Sequence, residues 1–377
     1  TGENLEIVNN GNVGRMRDYF KLINSKISGN TKGIEFQGDS LILDNCSITG
    51  NGTGAQYTDF AGGINWYCQP ESPFQKIYLR LLNSRFENNT GEYAGAFSFR
   101  YFHPHANHDI TITDHLIRNC IFEGNKVTNQ SFGSGSALYV RPDSDDQKCT
   151  LEMNIVNSQF TDNDWARAVI WTESKCPLNF INSTLANNNS RYGIVNAYND
   201  TIKVINSIVR HEEPGPFFFK ELPPFIAYSN IQDTLTGPGV IDTLPLFDSL
   251  GIFPYQLLAS SACIGSGSID TNGFNLPHVD LAENPRITDA RIDMGAYECL
   301  YTGISRPKTE VFHLEVLPNP MQESLLCRFR LREGKKVSLE IFDQHSHLVY
   351  QLQEHWFASG KNQLRIDLKN LSSGIYY

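Results

Sequence analysis

Across residues 18–209, apolar residues recur in pairs spaced two apart: Phe20 and Leu22, Leu41 and Leu43, Leu79 and Leu81, Met153 and Ile155, Leu178 and Phe180, Ile202 and Val204. One copy departs, placing His115 before Ile117. Two residues after each pair stands an asparagine: Asn24, Asn45, Asn83, Asn119, Asn157, Asn182 and Asn206. Ser or Cys follows it, then an apolar residue at the third place and, in all but the last copy, a second Asn at the sixth. A further alternating run then opens on Gly or Ala, as in Gly33-Ile34-Glu35-Phe36 and Ala96-Phe97-Ser98-Phe99. Alternation with period two predicts half-buried strands, and no helical periodicity persists in this half.

The Asn-to-Asn spacings are 21, 38, 36, 38, 25 and 24 residues. Self-similarity at a period of about 20–50 residues marks stacked repeats, and a propeller blade of about 40–45 residues is too long for the shortest copies. Three short strands per repeat fit one rung of an all-β parallel β-helix. Rungs stack about 4.8 Å apart, so the seven asparagines form a ladder whose amides bond along the axis. Asn also tolerates the left-handed backbone of a tight corner. We therefore read this column as architecture and not catalysis. The first rung looks irregular, because Leu5, Ile7 and Asn9 follow the pattern but Asn9 lies too close to Asn24 for a full turn. Cys46 and Cys120 share the Ser/Cys column two rungs apart, too far to bridge, and read as buried thiols.

The chain carries a net charge of −10; residues 1–305 hold 21 Lys/Arg against 33 Asp/Glu. An acidic solenoid lacks the basic footprint of a nucleic-acid binder. No apolar run reaches the length of a transmembrane helix.

The repeated Asn-Ser-x-apolar-x-x-Asn with its Gly-Ile strands resembles the secreted right-handed parallel β-helix proteins of the pectate-lyase-like superfamily, over about residues 18–298. That resemblance carries the fold more than any activity. We assign residues 1–209 to the rungs and 210–300 to a closing segment, which ends Asp293-Met294-Gly295-Ala296-Tyr297-Glu298. This segment would cap the exposed strand edges of an open solenoid end, and its Asp293 and Glu298 read as structural. After a linker at 301–313, residues 314–377 read as a small β-sandwich of immunoglobulin type. Pro318, Asn319 and Pro320 at its start, with Gly374 and Tyr376 at its end, make it similar to the type A sorting domain of type IX secretion in Bacteroidota. The resemblance implies export across the outer membrane to the cell surface or medium and engagement of the secretion machinery. It also implies, usually, removal of the domain during surface attachment. The family's Asp-x-x-Gly turn appears as Asp343-Gln344-His345-Ser346, and the final strand expected after Tyr377 lies outside this sequence.

In the third strands, the outward columns are Glu35, Asn65, Ser98, Tyr139, Ile170, Val195 and Gln37, Tyr67, Arg100, Arg141, Thr172, Ala197. Insertions follow three successive third strands, at 68–73, 103–109 and 142–146, and in solenoids such insertions gather on one, often binding, face. Arg grips carboxylates bidentately and Tyr offers a flat face to a sugar ring. Asn65, Tyr67, Ser98, Arg100, Tyr139, Arg141 and Glu173 thus form a candidate glycan-binding face. The competing reading pairs the two arginines with loop carboxylates as ordinary surface ion pairs. His103, His105, His108 and Asp109 match no rigid metal-site spacing. Asp143, Asp145 and Asp146 lack the Gly and distal Glu of a calcium loop. No cofactor is therefore expected; calcium stays possible without a motif. A surface protein that binds glycans or acts as an adhesin is the favoured class, since no catalytic set is recognisable. The alternative is a polysaccharide lyase or glycoside hydrolase acting on an acidic polymer along the third-strand face.

Overall fold

The structure is a computed structural model. It describes residues 2–376 apart from 10–14, 18, 53–60, 70–75, 103–109, 130–132, 143–148, 165, 174, 198–200, 212–217, 220–222, 233–234, 250, 289, 300–311, 319, 322, 332–333 and 346. The chain divides into two compact units, Thr1–Thr243 with Ala262–Glu298, and Leu244–Ser261 with Cys299–Tyr377. Neither contains a helix among the described residues.

The first unit is a parallel solenoid of three long sheets, with one short parallel pair, Thr90–Gly91 with Lys126–Val127. The first sheet has nine strands, from Gly2–Glu3 to Phe225–Ala227. The second has nine, from Glu6–Val8 to Asn230–Ile231, and the third has eight, from Arg15–Arg17 to Phe218–Phe219. Neighbours in each sheet belong to successive rungs. Inward residues form continuous columns: Phe86, Phe122 and Phe160 are fully buried and stack with ring centroids 4.7 Å apart, the strand-to-strand spacing itself.

Two left-handed residues, five positions apart, define each rung's sharp corners. The seven predicted asparagines have φ between 45° and 56°. The second site is Gly29, Gly50, Asn88, Gly124, Asp162 or Asn187, each also at positive φ. Between the two sites fits the short strand of the second sheet, such as Lys26–Ser28 or Arg85–Glu87. This corrects the reading of the first rung. Its corner is Asn4 (φ 55°), twenty residues before Asn24, and Asn9 (φ 53°) is its second corner. Gly2 accordingly pairs with Leu22 and Ile7 with Ile27. At the other end Tyr228 (φ 49°) takes the corner, followed by Ser229 and Ile231 in the usual places.

The asparagines at the sixth place form a separate, fully buried column. Asn51 donates Nδ2 to Asn89 Oδ1 at 2.9 Å, and Asn89 donates to Asn125 Oδ1 at 3.0 Å. Each Oδ1 also accepts the backbone N–H of the preceding Asn, and each Nδ2 also reaches a carbonyl, as Asn89 does to Ile48 O at 2.8 Å. The amide of Asn89 thus uses its two donors and two acceptor sites fully. In the Ser/Cys column, Cys46 N donates to Ser84 Oγ and Cys120 N to Ser158 Oγ. The thiols of Cys46 and Cys120 are buried and donate to main-chain carbonyls.

His115 has a local cause. Between Ile112 and His115 the strand carries a bulge against its neighbour. The His115 ring is fully buried, and its Nδ1 accepts Leu79 N–H at 3.0 Å. Burial, aided by Arg80 and opposed by Asp114, lowers its pKa to about 3.

The closing segment behaves differently from its prediction. The bridge of Ile241 to Asn230 extends the last edge of the second sheet. Residues 262–298 instead run along the side of the solenoid, on the corner asparagines. Asn157 Nδ2 donates to Val279 O, Asn182 Nδ2 to Asp293 O and Asn206 Nδ2 to Ser268 O. Tyr297 Oη donates to Gln159 Oε1 at 2.6 Å and Ala296 N to Thr184 Oγ1 at 2.9 Å. The segment is locked by buried Arg286, whose Nη1 lies 3.0 Å from Glu298 Oε1. Glu298 also accepts Asp293 N–H, and Asp293 Oδ1 accepts Gly265 N–H. Burial raises the Glu298 carboxyl while Arg286 opposes the rise. Both acids serve this lock.

In the second unit, strands Phe312–Leu317, Ser324–Leu331 and Gly360–Asp367 form one antiparallel sheet, and Lys335–Phe342 pairs antiparallel with Leu348–Phe357. Leu325, Cys327 and Ile366 from the first sheet share a core with Ile341 from the second. Residues 244–261, which sequence reading placed in the closing segment, cluster here. Phe247 bridges to His347, Ser249 Oγ donates to Leu348 O at 3.2 Å, and the Tyr255 ring meets His347 edge-on.

Candidate functional site

The third sheet orders the candidate face. Asn65, Ser98 and Tyr139 align across successive strands, as do Tyr67, Arg100 and Arg141. Beyond this the register differs from the predicted one. Gly135 pairs with Ala168 but Leu138 pairs with Ile170, so the strand Gly135–Pro142 holds one extra residue. A one-residue slip exchanges the two faces of a strand. Ile170, Thr172 and Val195 therefore turn inward, while Trp171 and Asn196 continue the Tyr139 column. Sequence spacing missed this because the Gly-Ser-Ala run that bulges has no alternation to break. Glu173, the residue after Thr172, comes out beside Arg141.

The two outward columns differ in what they offer. Asn65, Ser98 and Tyr139 are 5%, 1% and 1% exposed. Asn65 closes its amide on Ala61, accepting from its N–H at 2.7 Å and donating to its carbonyl at 3.1 Å. Tyr139 packs with Ala61 and Ala94, against Tyr93 and Trp171. The second column is half-buried. The Arg100 guanidinium lies 5.2 Å from the Tyr67 ring centroid and 5.3 Å from that of Phe102. Arg141 Nε lies 3.4 Å from Glu173 Oε2, with side chains 41% and 39% exposed. Tyr139 Oη donates to Glu173 Oε1 at 3.0 Å. Burial and the Glu173 carboxylate push the Tyr139 phenol up. Phe102 and Trp171, the latter under the Arg167 guanidinium, are members that sequence reading did not name.

Chemically, the row presents an aromatic platform capped by one arginine and a second arginine held by a carboxylate. It has a donor set and a flat surface. The Tyr139 phenol donates to Glu173, and Arg141 carries Glu173 as a counter-ion. The loop residues His103, His105, His108, Asp109, Asp143, Asp145 and Asp146 lie outside the described residues. Among the described residues, the triad whose ligand atoms converge is Asp343, His345 and His347.

The sorting motif is assembled from both ends of its domain. Pro318, Pro320, Gly374 and Tyr376 line one cleft, floored by Leu325, Leu339 and Leu368. Tyr376 donates Oη to Ser372 O at 2.6 Å and bridges to Asp343. Asn319 lies outside the described residues.

Residues 315–377 match the family of secretion system C-terminal sorting domains. This domain marks the chain for export by type IX secretion, to the medium or the cell surface, and for contact with that machinery. No curated protein and no solved structure matches the chain. Among the described residues, no helix is long and apolar enough to cross a membrane.

Proposed function

We propose that the chain is a surface-displayed right-handed parallel β-helix of pectate-lyase-like type whose third-sheet face binds glycans, in the manner of an adhesin and without catalysis. We place it in a bacterium of Bacteroidota type, with an immunoglobulin-like sandwich as its sorting domain. The observation that carries the binding reading is the aligned, half-buried row Tyr67, Arg100, Arg141 and Glu173, flanked by Phe102. Flat rings and charged donors in line suit stacked pyranose rings bearing carboxylates or hydroxyls. The buried Asn65, Ser98 and Tyr139 brace this row from the adjoining column.

Affinity electrophoresis against a panel of neutral and uronate polysaccharides tests it. Retardation by at least one polymer is expected, reduced about tenfold or more in Arg100→Ala, the loss of one charge-assisted hydrogen bond. Unchanged mobility with every polymer would overturn the reading. Incubation with the same uronates, followed by ultraviolet absorbance, reports elimination. A rise that Arg100→Ala abolishes would make the protein a lyase instead.

A further inference from the structure

We propose that Asp343, His345 and His347 in the second unit form a binding site for a divalent transition-metal ion. This goes beyond the glycan reading and stands independently of it. Asp343, His345 and His347 each offer one ligand atom, and these atoms lie within 4.8 Å of one another. Asp343 Oδ2 is 3.3 Å from His347 Nδ1 and 3.8 Å from His345 Nδ1, so both imidazoles turn the same nitrogen towards one carboxylate oxygen. The other oxygen is already committed: Oδ1 accepts the N–H groups of His345 and His347, each at 2.9 Å. The backbone of Asp343 donates to His347 O at 2.9 Å. The carboxylate is thereby fixed by its own turn, with the oxygen that faces the rings left to coordinate.

The surroundings hold the ligands in place. His347 meets the rings of Tyr255 and His345 edge-on, at 6.2 Å and 5.9 Å. Gln344 Nε2 lies 3.1 Å from His345 Nε2. Turned over, the same amide offers its oxygen to an Nε2–H, the partner a metal-bound imidazole requires on its far nitrogen. All three side chains are between a fifth and a quarter exposed, sheltered yet reachable from solvent. Around a tetrahedral zinc ion with bonds of about 2.0–2.1 Å, ligand atoms stand roughly 3.4 Å apart. One carboxylate contact already meets that spacing, and side-chain rotation brings in the rest. Two imidazoles and one carboxylate select zinc, nickel or copper over calcium and magnesium, and leave a position for water. Asp343 also bridges to Tyr376, so a bound ion would brace the turn that holds the Gly374–Tyr376 end of the sorting motif.

The test is a calorimetric titration of the full chain with zinc chloride near neutral pH. Binding of one ion per chain in the micromolar range or tighter is expected. It should persist when His103, His105 and His108 are all replaced by Ala, and weaken at least about tenfold in the double variant His345→Ala, His347→Ala. To separate loss of a ligand from loss of the turn, His345→Gln alone is titrated too, with the same weakening expected. Cobalt loaded into the unmodified chain should give the visible absorption of a nitrogen- and oxygen-ligated ion of low coordination number. Absence of micromolar binding, or binding that both His345 variants leave unchanged, would overturn the proposal.

Discussion

The two asparagine columns look alike in sequence and carry different physics. Asn24 is chosen first for backbone: φ near 50° strains most side chains, and its exposed amide accepts from Asn45 Nδ2 at the surface. Glycine reaches that region at no steric cost. Asn24→Gly should therefore leave the urea midpoint within about 0.5 kcal/mol equivalent of the parent. The buried column is chosen for its amide. Asn89→Gly removes partners from Asn51, Asn125 and Ile48 at once, and buried unsatisfied groups cost about 1–3 kcal/mol each. A loss of several kcal/mol is expected; equal midpoints for the two variants would refute the distinction. His115 makes a second prediction at this scale. Its folded pKa of about 3 lies below its ordinary 6.5, so the unfolded chain binds the proton first. Stability should fall as pH drops from 6.5 towards 3, by about 1.4 kcal/mol per unit from this group. His115→Met restores the residue type of the next rung. It should flatten that part of the pH profile while losing, at neutral pH, the bond from Leu79 N–H. A profile as steep as the parent's would count against the assignment.

At the scale of elements, what was legible in the sequence is what repeats. Asn, Ser/Cys and the apolar third residue recur because identical positions stack at one strand spacing, so a local choice is imposed again on every rung. What was not legible is what happens once. The bulge before Leu138 moved Trp171 and Asn196 onto the outer face, and the bulge before His115 explains an imidazole among leucines and methionines. The lateral path of 262–298 was likewise hidden, since nothing in the repeat marks Gln159 and Thr184 as the partners of Tyr297 and Ala296. The Gly and Ala openings of the third strands are legible in retrospect. A Cβ at Gly62 would stand 2.3 Å from Thr90 O, closer than atoms pack. Gly62→Ala should therefore separate adjacent rungs and cost about 1–3 kcal/mol, the usual penalty of overpacking. It should also raise hydrogen exchange at Ile64 and Phe97, whose strands are in register. Parent-like exchange there would show that the rungs yield without strain.

At the scale of the whole molecule, the sorting domain does more than carry an address, because residues 244–261 take their packing from it. Phe247, Tyr255 and Leu257 are buried. Their described partners include His347, and Ser249 is tied to Leu348. Removing residues 299–377 would take those partners away. Within the solenoid each rung contacts its neighbours, and the Arg286–Glu298 lock lies wholly within the first unit. A chain ending at Glu298 should therefore keep the parallel-sheet signal in circular dichroism. It should, however, become sensitive to chymotrypsin at Phe247 and Tyr255, because local opening exposes segments that have lost their packing. The full chain should resist cleavage there under the same conditions. Identical fragment patterns from the two chains would show that 244–261 is held by the solenoid alone. The expected difference would make any removal of the sorting domain a step that also loosens residues 244–261.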